Sequence, residues 1–375
     1  MTLLAVAAVS ARLLAEAAAR DGFEVIALDL FGDVDTCEVA SRWFSIGTGL
    51  KIDPALTLAA LQVLAHRGDV SGWVAGSGFE GHPELLAQGA ALLPLIGCTP
   101  ESVAAVRDPA RFFDTLAAHG IDHPPVQWTP PADTGGWLVK DAQGCGGWHV
   151  RRLSSPGVAG ALPPHGYFQR EQPGTPMSAT FVANGQDAAI LGFNEQIVFA
   201  FGARPFVYGG VIGPVPLAAA VARRVSHAVR SVTAAFSLRG LCSLDFLLDG
   251  ERVSVLEVNP RPPASMALYG EQRVMAAHLR ACMLGELPAI PTTAPAPRVQ
   301  GSAVVFARRP LALDEQAALR VAAWPGTHDL PCAGTHVEPG DPLCSLSTAG
   351  ATAEQVRTLL SQGRKALLTS LETTA

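Results

Sequence analysis

The stretch Leu241-Cys242-Ser243-Leu244-Asp245-Phe246-Leu247-Leu248, the pair Asp249-Gly250, and Val253-Ser254-Val255-Leu256-Glu257-Val258-Asn259-Pro260-Arg261-Pro262-Pro263 decide the reading of this chain. Two apolar runs around an Asp-Gly pair predict a β-hairpin. Asp245, Glu257 and Asn259 interrupt those runs with oxygen-bearing side chains. Alternation puts Glu257 and Asn259 on one face of their strand. Asp245 joins that face if the turn has an odd number of residues. A three-residue loop, Leu248-Asp249-Gly250, with Gly250 in the left-handed region, would do this. A two-residue turn would put the acids on opposite faces.

On a shared face, two carboxylates and an amide form an all-oxygen set. That suits Mg²⁺ shared with phosphate oxygens, because magnesium keeps its waters and takes few protein ligands. The neighbours Leu244, Phe246, Val255, Leu256 and Val258 are apolar, and an acid buried among them is costly unless paired or bound to metal. The alternative is that the acids face water at strand ends. Arg261 stands between prolines that stiffen it, and its fixed fork suits phosphoryl or tetrahedral-intermediate charge. Read alone, it is equally a solvated arginine.

Upstream, Trp137–Lys140 reads as a strand running into Gly144-Cys145-Gly146-Gly147. A strand-borne lysine can neutralise phosphates, and glycines let backbone N–H groups approach phosphate oxygens closely. No G-x-x-x-x-G-K-[ST] loop occurs, and a plain hairpin turn is the competing reading. Gln169-Arg170-Glu171 ends another strand, where an adenine could receive main-chain hydrogen bonds.

Further out, Leu3–Val9, Ala11–Arg20 and Glu24–Leu30 read as strand, helix and strand, a βαβ unit implying a parallel sheet. A helix near Pro54–His66 and a strand at Gly72–Ala75 continue the pattern, and Gly76-Ser77-Gly78-Phe79-Glu80-Gly81 follows. Ser10-Ala11-Arg12 replaces the dinucleotide fingerprint after the first strand, which excludes an NAD reading. Ser10 and Arg12 at a helix N-terminus could hold an anion such as a carboxylate. Helices are expected over Pro100–Ala118, Leu217–Phe236, Ala267–Leu284 and Ala353–Leu371. Further strands are expected at Ser178–Val182, Ala188–Phe193, Ser302–Ala307 and Leu343–Leu346. Pro291–Pro297 reads as a linker.

Composition bounds the function. With 375 residues, 49% hydrophobic and 16% charged, the chain can bury a real core and is not disordered. A net charge of −6 with no basic stripe speaks against nucleic acid. Seven scattered cysteines, none at C-x-x-C spacing, fit reduced thiols better than disulfides or zinc. No basic segment precedes the apolar start, and no uninterrupted run reaches the roughly 18 residues of a membrane span. The expectation is a cytoplasmic protein without a membrane partner.

Taken in order, Trp137–Gly147, Tyr167–Ser178, Ser243–Asp245 and Leu256–Ser265 (LEVNPRPPAS) resemble the ATP-grasp superfamily of carboxylate–amine ligases. The resemblance implies an α/β fold, α+β in its central part. It divides the chain into a Rossmann-like pre-domain over 1–98, a two-lobed ATP-grasp domain over 99–290 and a small β-rich C-terminal subdomain over 298–375. It implies ATP and Mg²⁺, with Mn²⁺ as the alternative ion. Lys140 would bind phosphates under the mobile loop carrying Gly144, Gly146 and Gly147. Gln169, Arg170 and Glu171 would form the adenine hinge. Asp245, Glu257 and Asn259 would bind the metal, and Arg261 would stabilise the acylphosphate transition state. The Ser10–Arg12 helix end, Ser77–Gly81 and Tyr208-Gly209-Gly210 would shape the acceptor site.

The implied reaction activates a substrate carboxylate as an acylphosphate and couples it to an amine. Many members carry an early lysine before the central domain. Here Asp108-Pro109 stands there, leaving Arg107 or Arg111 as its replacement. More narrowly, LEVNPRPPAS and the opening VSARLLAEAAARDGFEVIALDLFGD are similar to a bacterial ATP-grasp group linked to methanofuran and tetrahydromethanopterin one-carbon metabolism. That placement implies glutamate ligation in cofactor biosynthesis. The expected partners are small-molecule carboxylate and amine substrates and a second copy of the chain in a homodimer. The alternatives are a non-catalytic nucleotide-binding regulatory protein and a small-molecule kinase.

Overall fold

The structure is a computed structural model that describes residues 2–155, 162–289 and 298–372. The linker expected at Pro291–Pro297 lies outside the described residues.

The first strand, Leu3–Ala7, is buried along its whole length, as an apolar run in the middle of a parallel sheet must be. It lies between Glu24–Asp29 and Val70–Ala75, both parallel to it, and Arg42–Ser45 adds a parallel edge strand. The edge strand was not anticipated, because Arg42-Trp43-Phe44-Ser45 is only partly covered and shows no clean alternation. Helix Arg12–Arg20 links the first two strands, and Gly22 stops it at φ 95.

A second, antiparallel sheet has the order Val126–Gln127, Gly166–Arg170, Trp137–Asp141, Arg151–Arg152. Lys140 stands opposite Tyr167, and Leu138 opposite Gln169. Their shared face looks toward the site, while Trp137, Val139 and Phe168 form a small core on the other.

The third sheet has eight strands, in the order Arg252–Asn259, Arg239–Asp249, Thr175–Asn184, Ala188–Phe201, Arg204–Gly213, Val299–Phe306, Pro342–Gly350, Thr327–His328. Its last three strands come from the C-terminal segment, which therefore extends the central sheet. Met177, Ala179, Phe181, Leu244, Phe246 and Val258 share one apolar cluster with Val225, Val229 and Val232 of helix Ala219–Phe236. The opposite face is apolar at Val182, Leu191, Val211 and Leu241 and polar at Ser178, Thr180, Ser243 and Asp245, where it carries the site.

Two expectations need correction. The single helix foreseen over Ala267–Leu284 is a 3-10 segment, Ala264–Gln272, followed by the α-helix Val274–Leu284. Arg273, at φ 49, breaks the ladder between them. The strand Arg204–Gly213 was not anticipated, because glycines such as Gly209, Gly210 and Gly213 are poor strand formers. Gly210 is instead needed inside the strand: its φ is 147, and a Cβ there would lie 2.2 Å from the Ser302 carbonyl oxygen.

Candidate active site

The hairpin turn has two residues, Gly250 and Glu251, with Asp249 opposite Arg252. Gly250 takes the left-handed conformation at φ 58. The three-residue loop foreseen from sequence is not formed, and a regular ladder from this turn would have set Asp245 against Leu256. The register instead shifts between Phe246 and Asp245: Phe246 faces Val255, and Asp245 faces Glu257. Leu256 is the extra residue of a β-bulge, and the bulge returns Glu257 to the face of Asp245. Leu244 then faces Val258, and Ser243 faces Asn259.

The same face continues across the sheet, with Ser178 opposite Asp245, Thr180 opposite Ser243 and Asn194 opposite Ser178. The Asn259 amide donates to Asp245 Oδ2 at 3.2 Å and to Ser243 Oγ at 3.3 Å. Asn194 donates to Thr180 Oγ1 at 3.0 Å and accepts from the Tyr269 hydroxyl at 2.6 Å. Asp245 Oδ1 is buried and makes no hydrogen bond. Burial and the facing charge of Glu257 push Asp245 up to about 7. Burial also raises Glu257, but Lys140 and Arg107 outweigh it and hold that carboxylate below its ordinary value. An orphaned carboxylate oxygen beside a second carboxylate, in an all-oxygen lining, fits a divalent ion such as magnesium.

Arg261 is not free. Its Nε and Nη2 donate to Glu80 Oε1 at 3.0 and 2.9 Å, and Nη2 also donates to Asn259 Oδ1 at 3.2 Å. Glu80 comes from the loop after the fourth parallel strand, and the Gly78 N–H fixes its other oxygen at 2.7 Å. Glu80 is thus a site residue whose role sequence reasoning missed. Its signal was an acid within Gly78-Phe79-Glu80-Gly81 directly after a buried strand.

Lys140 is buried and donates to Gln169 Oε1 at 3.2 Å. Arg107 ties the glycine loop to the acid ribbon: it donates to the carbonyls of Ala142 and Gly144, the latter at 2.6 Å. Its Nη1 lies 3.7 Å from Glu257 Oε2. Of the two arginines considered for the early cation, Arg107 is in the site, whereas Arg111 lies over the Phe236 ring. Gly147 has φ 75, and a Cβ there would strike the Phe206 carbonyl oxygen at 1.9 Å. Gly144 packs against His149, whose ring occupies the space of a Cβ. Burial is the main cause that pushes His149 down to about 4, and its Nδ1 has no hydrogen-bond partner.

The expected hinge residues separate. Gln169 turns inward to Lys140, with its Nε2 buried and unpartnered. Arg170 turns outward over Trp137, and Glu171 pairs with Arg152 at 2.7 Å. The backbone N–H groups of Arg170 and Glu171 already bond to the Pro125 and Gly136 carbonyls. The Ser10–Arg12 helix end, foreseen as an anion holder, does hold a carboxylate, but one from this chain. Asp329 accepts from Ser10 at 3.0 Å and from Arg12 Nε at 2.9 Å.

Residues 106–265 match the model of the ATP-grasp domain. The fold is similar to that of the L-amino acid ligase from Bacillus licheniformis, with TM-score 0.70, 15% identity and 97% of each chain covered. It is also similar to carboxyaminoimidazole ribonucleotide synthase from Aspergillus clavatus, complexed with ATP, with TM-score 0.69, 15% identity and 98% of each chain covered. N5-carboxyaminoimidazole synthetase from Staphylococcus aureus, complexed with ADP, gives TM-score 0.69, 14% identity and 97% of each chain covered. No curated protein sequence matches the chain. Among the described residues, no helix is long and apolar enough to cross a membrane. The chain carries an ATP-grasp domain over residues 106–265, within an overall fold shared by these ligases and synthetases.

Proposed function

We propose that this protein is an ATP- and Mg²⁺-dependent ligase that activates a carboxylate and joins it to an amine. One observation carries the proposal: the bulge at Leu256 turns Asp245 and Glu257 onto a single face, where Arg107 links Glu257 to the glycine loop. Asp245 and Glu257 would hold the magnesium, with Asn259 beside them. When bound, the ion supplies positive charge for the phosphate oxygens. Lys140 and the N–H groups around Gly146 and Gly147 cradle the phosphates, and the adenine edge rests against the Gln169–Glu171 segment. Arg261, oriented by Glu80, faces the point where the acyl group accepts the phosphoryl group. Positioning and charge neutralisation are the chain's main contributions, as in other phosphoryl transfers.

The structural relatives, an L-amino acid ligase and ATP- or ADP-bound carboxyaminoimidazole enzymes, support a ligase over a kinase. An amino-acid carboxylate such as glutamate is the first substrate to try, with aromatic amines as acceptors. The test measures ADP release against a panel of amino acids with and without amines. Release that requires both substrates, and that Glu257→Gln reduces by about a hundredfold or more, supports the ligase. Release with the carboxylate alone identifies a kinase. Tight ATP binding without turnover identifies a regulatory protein.

A further inference from the structure

The Asp329 contact lies in a cluster remote in sequence from the nucleotide site. Glu16 projects from the helix Arg12–Arg20, Asp35 from the first turn of the helix Val34–Val39, and His328 from the edge strand Thr327–His328. One ligand atom from each lies within 4.8 Å of the other two. We propose that Glu16, Asp35 and His328 bind one borderline divalent cation of the Zn²⁺ or Ni²⁺ type, joining the C-terminal segment to the parallel sheet. An imidazole nitrogen with two carboxylates selects such ions over magnesium or calcium, which prefer all-oxygen sets.

Each of the three side chains keeps a ligand atom uncommitted. His328 Nε2 lies 2.8 Å from Ser347 Oγ, an outer partner that sets the ring and leaves Nδ1 for a ligand. The Asp35 oxygens accept the backbone N–H groups of Asp329 and Leu330 at 2.8 and 3.0 Å, which fixes the carboxylate and leaves lone pairs. Glu16 uses Oε2 for Arg12 at 2.8 Å, so Oε1 is uncommitted.

An independent observation, the balance of charge, favours a cation as the ligand. Asp33 stands at the N-cap of the Val34–Val39 helix, where an aspartate ordinarily caps the backbone. Its side chain makes no cap hydrogen bond, yet the residue is only 8% exposed. Its carboxyl lies among those of Asp329, Asp29 and Asp35. Arg12, the guanidinium beside them, is already shared among Asp329, Glu16 and, at 3.8 Å, Asp35. A carboxyl that makes no cap hydrogen bond therefore stands beside a cluster in which acids outnumber bases. A bound dication would correct that balance.

The test uses the full chain, stripped of metal by a chelator and carrying Cys37→Ser and Cys332→Ser, because both of these thiols are exposed. Glu257→Gln is added to weaken binding at the acid ribbon. Zn²⁺ is titrated by calorimetry, and the melting temperature is followed with and without the ion. One equivalent should bind and raise the melting temperature. His328→Ala and Glu16→Gln, each in the same background, should weaken binding by about tenfold or more and remove the rise. No binding, or binding that neither substitution changes, overturns the proposal. Because the readouts are binding and melting, the result is independent of whether the protein is a ligase.

Discussion

Replacing Glu80 by Gln tests how Arg261 is held. The Glu80 side chain is 1% exposed and that of Arg261 15%, and the closest N–O distance is 2.9 Å. Taking the charges as roughly 4 Å apart at an effective dielectric of about 20, their attraction is about 4 kcal/mol. Breaking a buried pair by removing one partner costs about 3–5 kcal/mol, because the other charge stays buried and uncompensated. Glutamine keeps the shape and one acceptor, so a loss of about 3 kcal/mol is expected. Arg261→Met should cost a similar amount, and the double variant should cost far less than the sum. The coupling should be about 2–3 kcal/mol in a double-mutant cycle.

The assay is urea unfolding of the nucleotide-free protein at low and high salt, where a buried pair responds little to salt. The pair also has a pH signature. Burial alone would raise Glu80, but Arg261 and Arg107 overturn this and hold it below its ordinary value of 4.5. Its contribution is therefore complete above pH 4.5 and fades as the pH falls through the folded-state value. Additive single effects, or a Glu80→Gln loss below about 1 kcal/mol, would refute the reasoning, since that is how a screened surface bridge behaves.

Three further outcomes are expected. Gly147→Ala should raise the KM for ATP and lower the melting temperature more than Gly146→Ala does, because only at Gly147 does the new Cβ meet backbone, at 1.9 Å; Gly146→Ala should cost only the left-handed penalty of about 1–2 kcal/mol. Equal effects would locate the constraint elsewhere. His278 accepts the Leu241 N–H at 2.8 Å, and its Nε2 lies 3.0 Å from the Ile96 carbonyl oxygen. Burial depresses it from 6.5 to about 4, so stability should fall by up to about 3 kcal/mol as the pH drops from 6.5 to 4, and NMR titration of the ring reads the shift directly. Arg107→Ala should raise the KM for ATP by about tenfold, the worth of one charge-assisted contact, while Arg111→Ala should leave it within about twofold. Steady-state kinetics of the two variants decide between the arginines.

Much of this protein is legible in its sequence, where short-range periodicity governs. The buried run Leu3–Ala7, the strand bearing Lys140, the glycines at 144, 146 and 147, and the acids of the hairpin all announce themselves, because alternation and glycine spacing are local properties of the backbone. What sequence could not decide is where those groups meet. Whether Asp245 and Glu257 share a face turned on one bulged residue, Leu256, rather than on the turn. Arg261 and Glu80 lie 181 positions apart, and Arg12 and Asp329 lie 317 apart. The tail joins the central sheet where Val299–Phe306 pairs with Arg204–Gly213, a strand hidden by its glycines, and the other two tail strands add outward from it. Cross-strand register and long-range ion pairs are selected by packing the whole chain into one set of layers, so they exist only after the local elements have found each other.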